Sequence, residues 1–133
     1  GNKIPFSLGL DGHSDSDPVL HALIDSLLGA CRLGDIGKLF SNKNKIYKNI
    51  RSTILLKKVI KLIKSKNFSI NNIDINIVTQ KPKITKYTKK MSQTISKICE
   101  INTNQINIKG KTTCRFSSSR FWSCTKQSCG TYI

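Results

Sequence analysis

The chain has 133 residues, of which 23 are Lys or Arg and 7 are Asp or Glu, so its formal net charge is +16 at pH 7. This length suffices for one domain with a modest hydrophobic core. No apolar run reaches the roughly 20 residues that a membrane-spanning helix needs, so no membrane protein is predicted.

Acidic and basic side chains are distributed unevenly along the chain. Residues 1–40 carry a net charge of −2, and the remainder carries +18. So basic a block attracts polyanions such as nucleic acid, membrane surfaces or phosphorylated small molecules. Its lysines lie mostly opposite apolar stripes on predicted helices, however, which favours a solvated face. Few aromatic residues accompany them as stacking platforms for bases, so nucleic-acid binding is the least favoured function.

The first predicted helix covers residues 18–33. Asp17 can accept from the free N–H groups of the first turn, and Pro18 suits the first helical position. Apolar residues recur at helical spacing and predict one buried stripe. This stripe consists of Leu20, Leu23, Ile24, Leu27 and Cys31. Gly34 is expected to end the helix.

Two further helices and two strands are predicted after it. Residues 40–51 predict a loop, after which Ser52 is expected to cap a second helix that closes at Asn67 and Phe68. Isoleucines alternate with polar residues over 72–77, as in a half-buried strand, until Pro82 interrupts. The predicted stripes are Leu55, Val59, Leu62 and Ile63 in the second helix, and Ile84, Tyr87, Met91, Ile95 and Ile98 in the third.

A second strand is predicted over 105–109, because polar and apolar residues alternate there again. Strands mixed with amphipathic helices predict an α/β (α+β) fold, in which a single mixed β-sheet is covered on one face by α-helices.

Both histidines lie around the first helix. His21 and Asp25 are four residues apart and therefore share one side of it, beside the apolar stripe. His13 and Ser14 lie in the preceding loop, where free backbone N–H groups and the helix dipole suit an anion. These residues fit a phosphate-and-metal site. The residues alone also allow another interpretation, in which the histidine is structural and the aspartates only cap helices.

Two segments, 13–30 and 33–40, resemble a known enzyme family. They read His-Ser-Asp-x-Asp-x-x-x-His-Ala-Leu-x-Asp-x-Leu-Leu-Gly-Ala and Leu-Gly-Asp-Ile-Gly-Lys-Leu-Phe. This pattern is similar to that of the 2-C-methyl-D-erythritol 2,4-cyclodiphosphate synthases of the non-mevalonate pathway of isoprenoid (terpenoid) biosynthesis. The resemblance covers residues 1–113 and includes the segments 72–75, 80–83 and 106–113.

The resemblance implies a reaction and a set of site residues. Members of the family, which are phosphorus–oxygen lyases, convert 4-diphosphocytidyl-2-C-methyl-D-erythritol 2-phosphate to the cyclic diphosphate and release CMP. By position, His13 and Thr112 match catalytic residues, and His21 matches a zinc ligand that Asp25 would orient. The positions that match substrate-binding residues are His13, Ser14, Asp35, Ile36, Gly37, Thr79, Lys83, Ile84, Thr85, Gly110, Lys111, Thr112 and Thr113.

These positions match three parts of the family's site. Segment 35–37 matches the part that holds the erythritol-side and ribose hydroxyls. Segments 79–85 and 110–113 match the loops around cytidine and its phosphates. The resemblance further implies Zn²⁺ at the His21 site, Mg²⁺ or Mn²⁺ bridging the phosphates, and a homotrimer with active sites between subunits. A bacterial cytoplasm is expected, or a plastid in a eukaryote, with no nucleic-acid or membrane partner.

Several features depart from the family's pattern. The chain begins after the Asp-x-His that supplies the other two zinc ligands, Cys114 replaces a metal-binding Glu, and 41–44 lack the expected acids. Residues 1–113 are therefore predicted to form an incomplete synthase-like domain. Residues 114–133 are predicted to be an aberrant tail without the family's final strand. The chain alone is expected to release little or no CMP.

The cysteines leave one weaker alternative open. Cys31 and Cys99 are predicted to be small buried hydrophobes. Cys114, Cys124 and Cys129 could ligate zinc, but they lack the Cys-x-x-Cys pairing of structural zinc sites. Two other functions also stay open: an inactive or regulatory homologue that binds cytidine phosphates, and a basic nucleic-acid-binding module.

Overall fold

The computed structural model describes residues 17–41, 50–79 and 82–111, together with the backbone of 123–130. Within these residues, the elements in chain order are α1 (Pro18–Ala30), α2 (Ile36–Leu39), α3 (Ser52–Ser65), β1 (Asn72–Val78), α4 (Thr88–Cys99), β2 (Ile106–Lys111) and β3 (Ser123–Gly130). Short 3-10 turns at Ile84–Lys86 and Thr103–Gln105 precede α4 and β2.

The sheet is mixed, as predicted, and its strand order is β2-β1-β3. β1 runs parallel to β2 and antiparallel to β3. α4 lies between β1 and β2 in the chain, which gives the long crossover that parallel neighbours require. The predicted alternation in β1 is confirmed, because Ile73, Ile75 and Ile77 are buried and the residues between them are half-buried.

β3 differs from what the sequence predicts. No strand is expected after residue 113, yet Ser123–Gly130 pairs with β1 over most of its length, from Val78 opposite Ser123 to Asn72 opposite Gly130. The sequence of β3, Ser-Cys-Thr-Lys-Gln-Ser-Cys-Gly, has no apolar alternation. This strand therefore forms because it pairs with β1, and the sequence of β3 itself contains no pattern from which that pairing could be predicted.

The core lies between the helices and the isoleucine-bearing side of β1. α1 contacts α3, β1 and β3, while α4 contacts α3 and β2. The predicted stripe of α1 is buried throughout, and Ile24, Leu27 and Leu28 have no exposed surface. Each such side chain contributes about 1.5–3 kcal/mol relative to an exposed one. Apolar burial by α1 is therefore a main source of stability.

α1 begins where predicted and ends earlier. The Asp17 carboxylate accepts a hydrogen bond from the N–H of Leu20 at 3.0 Å. The helix ends at Ala30 because Arg32 adopts a left-handed conformation, with φ 55°. The N–H of Leu33 then donates to the carbonyl of Leu28 at 2.8 Å, as in a Schellman motif. Arg32 therefore takes the place that the sequence assigns to Gly34.

α3 and α4 also differ in detail from the predicted helices. The predicted close of α3 is confirmed, since Asn67 is left-handed and the N–H of Phe68 donates to the carbonyl of Ile63. The third predicted helix is divided, because Ile84–Lys86 form a 3-10 turn before α4 begins at Thr88. None of the described helices is long and apolar enough to cross a bilayer.

Cys31 and Cys99 should react slowly with thiol reagents in the folded protein. Both side chains are buried, and burial raises the pKa of the Cys31 thiol, so little reactive thiolate forms at that residue. Alkylation by iodoacetamide at pH 8, followed by peptide mass mapping, should be at least about tenfold slower than in urea-unfolded chain. Equal labelling rates in the two states would contradict the burial of these side chains.

Candidate functional site

Two half-buried side chains of α1, His21 and Asp25, contact the elements that follow in the chain. Nε2 of His21 lies 3.0 Å from the hydroxyl oxygen of Ser52, the first residue of α3. The Asp25 carboxylate accepts a hydrogen bond from the backbone N–H of Ile36, the first residue of α2, at 2.9 Å. Through these two side chains, α1 makes polar contacts with the first residues of both α2 and α3.

Ser52 is a neighbour of His21 that the sequence analysis misses. The prediction that Ser52 caps the second helix is wrong, because Arg51 is the N-cap and makes no side-chain capping bond. Ser52 has no exposed surface, and its hydroxyl forms a hydrogen bond with the imidazole of His21 rather than a capping bond. A Ser at a helix start is read from sequence as a cap. The contact with a residue 31 positions away has no local signal.

Two carboxylates, those of Asp35 and Asp25, accept hydrogen bonds from the backbone of α2 around the segment 35–37. Asp35 is the N-cap of α2, and its Oδ1 accepts from the N–H of Lys38 at 2.8 Å. A Cβ on Gly37 would lie 3.3 Å from this same Oδ1, a close approach that glycine avoids. Asp25 fixes the N–H of Ile36. Asp35 and Gly37 are exposed, so the segment is accessible to a ligand while its backbone is fixed.

The predicted cytidine loops also come together. The backbone N–H of Thr79 donates to the carbonyl of Lys111 at 2.9 Å. A Cβ on Gly110 would contact Cβ of Ile84 at 3.5 Å, so the two segments pack closely. Ile84 is buried and supports this cluster. Lys83, Thr85 and Lys111 are exposed around it.

Several predicted site residues cannot be placed. His13, Ser14, Thr112 and Thr113 lie outside the described residues, as do Cys114 and positions 42–44. The side chains of Cys124 and Cys129 also lie outside the description. The described part therefore contains two clusters: His21, Asp25, Ser52 and 35–37 in one, and Thr79, Lys83–Thr85, Gly110 and Lys111 in the other.

His21 is the described residue that the sequence predicts as a metal ligand. Catalytic zinc takes three protein ligands. In residues 17–41, 50–79 and 82–111, no three His, Cys, Asp or Glu side chains come together in a group that could hold a metal ion. The described residues alone therefore do not fit a zinc site.

The two clusters indicate a class of protein. Each places exposed polar groups on a backbone that is fixed by hydrogen bonds or buried packing, and one carries the exposed Lys83 and Lys111. A few precisely placed polar groups on a pre-formed backbone are typical of proteins that bind small molecules.

Comparison with known proteins gives the family. The YgbB family model matches residues 1–121, and the chain belongs to this family. The chain is 63% identical over 113 residues to the bifunctional enzyme IspD/IspF of Pelagibacter ubique, covering 85% of this chain and 30% of that protein. It is 50% identical over 113 residues to 2-C-methyl-D-erythritol 2,4-cyclodiphosphate synthase of Caldicellulosiruptor bescii, covering 85% and 72% respectively.

A solved structure has the same architecture. The structure of 2C-methyl-D-erythritol-2,4-cyclodiphosphate synthase in a CDP-bound form matches with a TM-score of 0.78 at 29% identity, over 83% of this chain and 73% of that one. The chain thus spans less than a third of the bifunctional relative and nearly three quarters of the shorter proteins. The predicted family resemblance and the mixed α/β fold are confirmed.

Proposed function

We propose that this chain provides the cyclodiphosphate synthase part of a protein that converts 4-diphosphocytidyl-2-C-methyl-D-erythritol 2-phosphate to the cyclic diphosphate and CMP. The reaction is a phosphorus–oxygen lyase reaction of isoprenoid biosynthesis. The observation that carries the proposal is the family match over residues 1–121, which includes both polar clusters. Residues 1–113 are proposed as the synthase-like domain.

The two clusters have separate roles in this proposal. The segment 35–37 is proposed, from the family resemblance, to hold the hydroxyls of the ribose and erythritol parts. The exposure of Asp35 and the hydrogen bonds that fix its backbone neighbours support this role. The second cluster surrounds the cytidine and its phosphates, with Lys83 and Lys111 supplying positive charge. Holding both ends of the substrate favours in-line approach of two phosphates that repel one another.

Metals and partner subunits belong to the same proposal. His21 is proposed as one zinc ligand, and Mg²⁺ or Mn²⁺ as the ion that bridges the phosphates. The described residues complete neither site. His13 and Thr112 are proposed to stabilise the transition state, and Ser14 and Thr113 to bind phosphate. A homotrimer with sites between subunits, and a cytoplasmic location, are proposed from the family resemblance.

The experiment combines a binding and a turnover measurement on the full chain. Calorimetric titration with CDP, and with UDP as the matched control, measures nucleotide selectivity. Incubation with the proposed substrate, Zn²⁺ and Mg²⁺, followed by ³¹P NMR, detects the cyclic diphosphate and CMP. We expect CDP to bind at least about tenfold more tightly than UDP, a difference of about 1.4 kcal/mol.

The outcomes separate the candidate functions. Product formation supports the synthase. Selective nucleotide binding that needs no metal, without product, supports an inactive or regulatory homologue. This second candidate is favoured by Cys114, which lies where the family resemblance implies a metal-binding Glu. Absence of CDP binding, with steeply salt-dependent binding to DNA, would contradict both and support a basic nucleic-acid-binding module.

A further inference from the structure

Asp25 makes a contact that differs from the role the sequence suggests for it. Its four-residue spacing from His21 predicts that it orients the imidazole. The hydrogen bond of its carboxylate instead goes to the backbone N–H of Ile36, 11 residues further along the chain, at 2.9 Å. Asp25 thus contacts the middle of the segment 35–37, from a different element.

α2 depends on such external contacts. It has only four residues, and so short a helix is not stable by itself. Its first turn has backbone N–H groups that need acceptors. Asp35 supplies one for Lys38, and Asp25 supplies one for Ile36. Loss of Asp25 would therefore remove the side-chain acceptor of the Ile36 N–H, while the cap at Asp35 and the packing of Ile36 and Leu39 against the core would remain.

Asp25 lies on a well-anchored helix. Ile24, Leu27 and Leu28, its neighbours in α1, have no exposed surface and are packed in the core. The carboxylate therefore starts from a fixed backbone. Since His21 lies one turn earlier on the same helix, α1 also sets the separation between His21 and segment 35–37.

We propose that Asp25 is a positioning residue for the hydroxyl-binding segment: through the N–H of Ile36 it fixes the conformation in which residues 35–37 select nucleotides that carry ribose hydroxyls. The proposal rests on the proposed function, from which the ligand of segment 35–37 is taken. It requires a hydrogen-bond acceptor at position 25, whereas an effect on His21 through charge requires a carboxylate.

Three variants separate these two requirements. Asp25→Asn keeps an acceptor oxygen and removes the charge. Asp25→Ala removes both, and Asp25→Leu removes both while keeping the number and branching of the side-chain heavy atoms, in a residue of higher helix propensity. Ser26→Ala is the matched control on α1, because its hydroxyl bonds within the helix to the carbonyl of Ala22. Thermal unfolding identifies any variant that fails to fold.

The measurements are amide NMR of residues 36 and 37 and calorimetric affinity for CDP and 2′,3′-dideoxy-CDP, on the full chain. With Asp25→Ala and Asp25→Leu we expect shifted, faster-exchanging amide signals. We also expect about tenfold weaker CDP binding, the order of one lost hydrogen bond to a charged group. The affinity for 2′,3′-dideoxy-CDP should change little in these variants. Asp25→Asn and Ser26→Ala should retain the amide signals and most of the affinity.

Three results would overturn the proposal. Unchanged Ile36 signals in Asp25→Leu would show that the contact does not fix the segment. Equal losses for CDP and the dideoxy nucleotide would show a general structural effect. Equal losses in Asp25→Asn and Asp25→Ala would favour a role of the charge. If the unaltered chain binds no CDP, the proposed function fails and the selectivity part fails with it, while the amide signals still report whether Asp25 fixes Ile36.

Discussion

Replacing Leu56 by Ala should lower the free energy of unfolding by about 3–4 kcal/mol. Leu56 lies in α3 with no exposed surface, where α3 packs against both α1 and α4. Truncating a fully buried Leu removes its transfer free energy and leaves a cavity among neighbours that relax only in part. The loss should be seen as a lower midpoint in urea, followed by far-UV circular dichroism, with an unchanged slope.

The matched control is Ile54→Ala, two positions earlier in the same helix. Ile54 is 43% exposed, so its truncation should change the free energy of unfolding by no more than about 0.5 kcal/mol. The difference between the two variants isolates burial from helix propensity, since both introduce Ala into α3. Similar losses in both would show that α3 does not present this face to the core.

Replacing Asp35 by Ala should weaken CDP binding by about 100- to 1000-fold. The change removes two interactions at once: the bond from the N–H of Lys38 that starts α2, and, under the proposed function, the carboxylate that accepts from ligand hydroxyls. A cap contributes about 1 kcal/mol and a hydrogen bond to a charged group about 1.5–3 kcal/mol. Calorimetric titration of the variant with CDP measures the sum.

Asp35→Asn separates the two contributions. Asn is as good an N-cap as Asp, so α2 should keep its conformation, while the charged acceptor is lost. We expect an affinity between that of Asp35→Ala and that of the unaltered chain, with little change in thermal stability. If both variants bind CDP as the unaltered chain does, segment 35–37 does not contact the nucleotide.

Elements with a strong period could be predicted from the sequence. The alternation around Ile73, Ile75 and Ile77 defines β1 because one side of the strand must be buried. The start of α1 could be predicted because Asp17 and the Pro that follows act locally. Its end could not, because Arg32 adopts a conformation that sequence reasoning assigns to Gly.

Contacts between distant residues account for the rest. Ser52 looks like a cap and is instead a partner of His21, and Asp25, which is predicted to orient His21, has a contact with Ile36 that the sequence does not predict. In each case a local rule was outweighed by a tertiary hydrogen bond. The strand Ser123–Gly130 was missed for a similar reason, since its neighbour β1, and no pattern of its own, gives it a place in the sheet.

The position of β1 has a consequence for how the chain is made. Among the described strands, β1 is central, and its two partners, β2 and then β3, follow it in the sequence. On a ribosome, β1, α4 and β2 would emerge before β3. During that interval, one edge of β1 carries unpaired backbone groups beside isoleucine side chains, which can template self-association. Pairing with β3 covers that edge, so nascent chains that stop before residue 123 should aggregate more readily than chains that include β3.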